Sequence, residues 1–336
     1  MTRPLPSARQ APRALTGTTL VEFVRPTAAL VTAAAVSFAG RIAACVGGRV
    51  VRVAPPAGRD PLRRAGPLLP DGDSALHRFL TAGKEEVAAL PAGPADLVTD
   101  DPELAAAWTR GTAVLLEAPG PEGAGSELTI LAASGLLDVF GEPGRPPLPL
   151  PGHQAAYAAG TAAFDAVICG AFQRLAGRGP LHSRVPILEV ALWLNWKHYL
   201  AAQLGQTAAG VGRAEDWATY RCRDGHVAIV FQDKDLAKLA ELTGEAALTE
   251  PRFATRDARR GAIADFRALL AGWAAGQGRD EITAAARRLG IPIGPVLSVG
   301  ELLDDRQMAA RAFIELAQGS PAFGVPALPA VVRHAA

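Results

Sequence analysis

A chain of 336 residues, 49% hydrophobic and 20% charged, exceeds one average domain and is too apolar to be globally disordered. Its net charge of +1 gives no general case for nucleic acid. Three cysteines, Cys45, Cys169 and Cys222, are too few and too scattered for a disulfide framework or a zinc site.

Cys45 and Cys169 lie in Ala-rich, apolar surroundings that suit core thiols, and this usage fits a reducing cytoplasm. The basic residues are 30 Arg and only 4 Lys, and Ala, Gly and Pro are plentiful, a bias that GC-rich coding produces. Each Arg is therefore not read as a ligand. Residues 1–65 nevertheless hold ten Arg against only Glu22 and Asp60, an excess that suits either a phosphorylated ligand or a solvated face with a basic tail.

Residues 1–13 read as a disordered tail. "TTLVEFV" from Thr18 reads as a strand, the Ala-rich run from Thr27 as a buried helix, and "GRVVRVAPP" from Gly48 as a second strand stopped by proline. That run is long enough to raise a membrane span, but Arg41 interrupts it and Ala outweighs Leu and Ile. A signal peptide would need an apolar stretch nearer the N-terminus. Strand, helix and strand together predict a βαβ crossover in a parallel sheet. No glycine fingerprint follows the first strand, so a dinucleotide of the usual Rossmann kind is unsupported.

"HRFLTAGKEEVAAL" turns at Gly83 and Lys84, and "PADLVTD" and "GTAVLLEAP" carry further strand signals. A Gly-rich loop, "PGPEGAGSE", leads into "LTILAASGLLDVFG", whose spacing suits a buried helix. "RPPLPLPGH" is extended because successive prolines fix φ. A long helix from about Tyr157 to Leu175 follows, then a strand-like turn and another apolar helix. There Trp193, Trp196 and Tyr199 recur at helical spacing and are expected to pack. "YRCRDGHVAIV" predicts a hairpin on an Asp-Gly turn. A small domain is expected at 214–316, with 14–213 and 317–336 forming the large one.

The order of these pieces resembles CoA-transferase family III, which includes carnitine CoA-transferase, formyl-CoA transferase and α-methylacyl-CoA racemase. "GRIAACVGGRVVRVAPP", "LTAGKEEVAAL", "YRCRDGHVAIV", "EPRFATRDARR" and "LGIPIGPVLSVGELLDD" parallel family segments in the right order. The resemblance implies an α/β fold: a Rossmann-like CoA-binding large domain, a smaller α+β domain and an interlocked homodimer. It implies CoA or acyl-CoA as substrate, with no permanently bound cofactor and no metal.

In transferases of this family an Asp at a helix start attacks the thioester, within a G-D-Y-x-x-G setting. Here "AAYAAG" keeps Tyr157 and Gly160 but carries Ala156 in the Asp place, and a methyl group cannot be a nucleophile. The racemases it resembles carry His where this chain has Ser126, followed by Asp where it has Glu127. Glu127, His153 and Tyr157 remain as candidate catalytic groups, since His titrates near neutrality and a partly buried Glu can be raised toward it. For a lone His in a Pro-rich loop, capping the helix entry or bonding the backbone is the plainer reading of His153. Arg52, Arg59, Arg63, Arg64 and Lys84 remain as phosphate partners, although the family acid after the second strand is Ala54 and its Arg-Ser after Lys is Glu85-Glu86.

Three functions stay open. The chain is a divergent member that binds an acyl-CoA, a related thioester or a carboxylic acid and performs non-standard chemistry. Alternatively it is a non-catalytic paralogue that binds CoA or pairs with an active subunit. In the third reading it is a CoA-transferase working by another route. No nucleic acid or membrane partner is expected, and the expected compartment is cytoplasmic.

Overall fold

The structure is a computed structural model that describes residues 14–120, 123–141, 145–205, 217–316, 324–327 and 329. The tail expected at 1–13 lies outside them. Apolar runs with β-branched residues form the parallel strands β1 (Thr19–Phe23), β2 (Arg49–Val53), β4 (Asp96–Thr99) and β5 (Ala113–Glu117), and more polar segments form the two edge strands β3 (Glu85–Val87) and β6 (His182–Pro186). The sheet order is β3-β2-β1-β4-β5-β6, with Thr19 opposite Arg49 and Leu20 opposite Asp96. This is the doubly wound order, whose switch point falls at the carboxyl ends of β1 and β4.

Helices α1 (Leu30–Cys45), α2 (Ala75–Thr81), α3 (Pro102–Ala107), α4 (Glu127–Ala133), α5 (Gln154–Leu175), α6 (Ile187–Leu194) and α7 (Trp196–Gln203) complete the large unit. The Ala-rich run is α1. Ala33, Ala34, Ala35 and Ala39 are fully buried, and α1 lies so close to α5 that a Cβ on Gly160 would stand 2.6 Å from the Ala35 carbonyl oxygen. At 16 residues α1 is too short to span a bilayer. The 22-residue α5 is long and apolar enough by length and composition, yet it packs in the large core through Ala155, Ala159, Ala163 and Val167.

Glu22 is a charge in the middle of an aliphatic strand. It is fully buried and ion-paired with Lys84, itself without exposed side chain. Gly40 of α1 makes the room: a Cβ there would fall 1.7 Å from Glu22 Oε1.

Chain contacts divide the molecule into 1–211 with 306–336, and 212–305, so residues 306–316 group with the large unit. In the small unit β7 (Ala218–Cys222), β8 (Gly225–Ile229) and β9 (Ile293–Val296) form an antiparallel sheet in that order. Helices α8 (Leu236–Thr243), α9 (Arg256–Gly261), α10 (Ile263–Ala275) and α11 (Arg279–Leu289) surround a core that includes Val227, Phe253, Phe266 and Leu270. The returning tail forms β11 (Gly324–Pro326) against β10 (Ile314–Leu316), and Arg41 of α1 donates to the Pro326 carbonyl at 3.1 Å.

Two packing expectations fail. Cys169 is exposed and Cys45 half-buried, because Ala-rich helices bury only the face turned to the sheet or to another helix. Trp193, Trp196 and Tyr199 are 77%, 58% and 59% exposed, since the apolar run breaks into α6 and α7 at Asn195 and these rings point away from the core.

Candidate active site

The helix that would carry the family acid begins without a cap of its own. Rigid "RPPLPLPG" delivers the chain to His153, which occupies the N-cap position of α5, yet its side chain makes no capping bond. The cap comes from a different helix. Glu127, first residue of α4, accepts from the Ala155 amide at 2.5 Å through Oε1 and from the Ala156 amide at 3.3 Å through Oε2. Its position is fixed by a capping box in which Ser126 accepts from the Thr129 amide at 3.2 Å. The Ser that stands in the racemase His place is thus a helix cap.

Ala156 is fully buried, its methyl part of the large core. Tyr157 sits half-buried, its ring 4.6 Å from that of Phe38 and 6.4 Å from that of Phe79, with His153 edge-on at 6.0 Å. Burial, and then the negative charge of Glu127, push the Tyr157 phenol above its ordinary range. Glu127, His153 and Tyr157 therefore gather at one helix start. The Glu127 carboxyl there is held by two amide donors at the start of a long helix. Asp165 is exposed farther along α5.

The phosphate candidates part company. Arg52, 1% exposed, bonds Asp60 at 2.7 Å and Glu86 at 2.6 Å. Lys84 gives its ammonium to Glu22 and to the Ser37 carbonyl at 2.6 Å, and burial pushes it down to about 8. Neither reaches an open surface, because Glu22, Asp60 and Glu86 consume both charges within the fold. Arg63 is half-exposed but pairs with Glu86 at 3.1 Å and Asp73 at 3.3 Å. His77, whose Nε2 lies 3.4 Å from Glu86, and Arg52 hold the Glu86 carboxyl down at about 2 against the opposing effect of burial. Arg59 and Arg64 are exposed, with no side-chain partner among the described residues.

Sequence reasoning counted Glu22 and Asp60 only as charges. The signal that could have found the first pair is an acid inside an aliphatic strand, which needs a buried cation. Beyond the ends of β1, β2 and β3 lies an apolar cavity of about 560 Å3, lined by Phe23, Val53, Ala54, Pro55, Pro56 and Val87 among others. No cluster of metal-ligating side chains occurs among the described residues.

A doubly wound sheet with a second small unit is the fold this chain shares with solved structures of CaiB/BaiF family proteins. Over 96% of this chain and 93% of its own, a CaiB/BaiF family protein from Brucella suis superposes with a TM-score of 0.80 at 22% identity. Rv3272 from Mycobacterium tuberculosis does so with 0.76 at 20% identity, over 96% and 94%. The model for CoA-transferase family III matches residues 112–335, two thirds of the sequence, and the chain belongs to that family. It is also similar to a probable CoA-transferase of M. tuberculosis, Rv1866, at 29% identity over 85% of this chain and 41% of that protein. The chain thus spans less than half the length of that curated relative.

Proposed function

We propose that this chain binds an acyl-CoA or a related thioester and works through Glu127, with Tyr157 and His153 beside it, instead of through position 156. The observation that carries the reading is the Glu127 carboxylate seated on the Ala155 and Ala156 amides. It lies beside the place of the missing acid but is supplied by another helix. A carboxylate and a phenol that stays protonated form an acid–base pair. Glu127 removes a proton from the carbon next to the thioester carbonyl, and Tyr157 returns one to the resulting enolate. That chemistry, an isomerisation, needs no covalent intermediate. The cavity beyond β1–β3 offers room for the carrier, and of the candidate cations Arg59 and Arg64 have no side-chain partner among the described residues and are free for its phosphates.

The test is deuterium incorporation from heavy water into a panel of acyl-CoAs. Wild-type protein should exchange the α-proton, Glu127→Gln should not, and intact mass should stay unchanged. A covalent adduct on the chain, or no exchange with any thioester, would sink the proposal.

A second reading, a non-catalytic paralogue paired with an active subunit, draws support from Arg52 and Lys84 being spent internally. It predicts no turnover and a stable hetero-oligomer. Transfer by another route predicts instead isotope exchange between CoA and a free acid that survives Glu127→Gln. In either active case we favour a homodimer formed through the exposed face of Trp193, Trp196, Tyr199 and Leu200.

A further inference from the structure

Tyr157 lies in the first turn of α5, and its phenol oxygen has no hydrogen-bond partner among the described residues. No polar contact there fixes where that oxygen points, so the neighbouring rings must do so. Phe38 of α1 lies nearest, with ring centroids 4.6 Å apart and planes tilted by 32°, near the offset stack that aromatic pairs favour. The Phe79 ring of α2 meets Tyr157 edge-on at 6.4 Å and lies 6.4 Å from Phe38, so the three rings close a triangle. His153 adds an edge at 6.0 Å. Phe79 is itself held beneath the Arg41 guanidinium, 5.9 Å from its centroid, and Arg41 donates to the Ala82 carbonyl at 3.1 Å.

Phe38 comes this close because α5 has no side chain at 160. Gly160 follows Tyr157 by three residues and so shares its helix face. A Cβ there would stand 2.9 Å from the Phe38 Cβ and 3.2 Å from the Ala39 amide nitrogen. The glycine admits the base of the Phe38 side chain, and the ring lies against Tyr157 one turn earlier. Glu127 sits at the same helix start, near enough for its charge to act on the phenol. The ring that seats the phenol therefore also sets its place relative to the carboxylate.

We propose that Phe38 is a positioning residue for Tyr157, holding the phenol oxygen where it returns a proton to the enolate. The proposal rests on the Glu127–Tyr157 chemistry above, and Phe38 itself touches no reacting atom. Helix α1 thereby governs, through one ring, a site whose polar groups come from α4 and α5.

The experiment compares wild type, Phe38→Leu, Phe38→Tyr and Tyr157→Phe in two measurements. One is the rate of deuterium incorporation into acyl-CoAs as a function of pH. The other is ultraviolet titration of the phenols, with Tyr157 separated from Tyr199 and Tyr220 by subtracting the Tyr157→Phe curve. Phe38→Leu keeps apolar bulk and removes the flat face, whereas Phe38→Tyr keeps the face. Phe38→Met, more pliant in a core, serves where Phe38→Leu does not fold. Since a shift of about 1 Å in a reacting group costs up to about 100-fold, Phe38→Leu should lower the maximal rate about 10- to 100-fold with KM within about twofold. It should also bring Tyr157 ionisation to lower pH, because water replaces the ring that buries the phenol. Phe38→Tyr should restore both. Phe38→Leu matching wild type in rate and phenol titration overturns the inference, and so does Phe38→Tyr as impaired as Phe38→Leu. Absence of exchange in wild type defeats the chemistry proposed at Glu127, and with it the catalytic purpose of the seat. The titration then still decides whether Phe38 makes that seat.

Discussion

Replacing Lys84 by Met tests whether this residue serves the fold or a ligand. Lys84 and Glu22 both have side chains with 0% exposure, and the ammonium also binds the Ser37 carbonyl. Removing one member leaves a carboxylate stranded in the core, which costs about 3–5 kcal/mol. Against a typical total of about 5–15 kcal/mol that is a large fraction. The double variant Glu22→Met/Lys84→Met strands nothing and fills similar volume, so it should fall within about 1–2 kcal/mol of wild type. A coupling energy above about 2 kcal/mol is therefore expected from the cycle.

Urea denaturation followed by tryptophan fluorescence, with the small-unit transition separated by fragment-resolved hydrogen exchange, supplies the numbers. A single variant costing under about 1 kcal/mol, or a double variant costing the sum of the singles, would refute the structural role. The alkaline limb gives an independent sign. Burial lowers Lys84 from 10.5 to about 8, so between those values the unfolded chain binds more protons than the folded one. This group makes stability rise with pH through that window, and Lys84→Met should remove the rise.

Glu86 gives the acid counterpart. Its folded value of about 2 lies below the ordinary 4.5, so its contribution is present above 4.5 and is lost as pH falls toward 2. The melting temperature of Glu86→Gln should accordingly decline less steeply than wild type over that range. Gly160→Ala drives a methyl to 2.6 Å from a backbone oxygen that cannot swing aside, and should cost at least about 2 kcal/mol in a denaturant melt. Trp193→Ser with Tyr199→Ser should weaken self-association by about 30-fold or more in sedimentation if that face joins two copies.

Strand and helix order was legible because apolar periodicity carried it from Thr19 to Glu117, and the Asp224-Gly225 step announced the hairpin in the small unit. The empty acid position at Ala156 was legible too, through resemblance. What fills it was not: Glu127 and the α5 amides lie 28 residues apart in sequence and meet only in the folded chain. The fate of Arg52 was hidden for the same reason, since its partners Asp60 and Glu86 come from a loop and an edge strand. Trp193 and Tyr199 misled because helical spacing reports that residues share a face, not which way that face points.

The contact of α1 with α5 gives the Ala-rich run a meaning that coding bias alone does not. Where Gly160 lies against the Ala35 carbonyl and Ala33, Ala34 and Ala39 are sealed, the spacing between the helices is set by residues with almost no side chain. Such a joint has no slack. A side chain at position 160 would force the helices apart there and shift α5, and with it Ala155, Ala156 and Tyr157. Substitutions along this seam should therefore be restricted by size while the polar surface drifts freely. The position of Glu127 relative to its amides is in that sense governed by alanines and a glycine that never touch it.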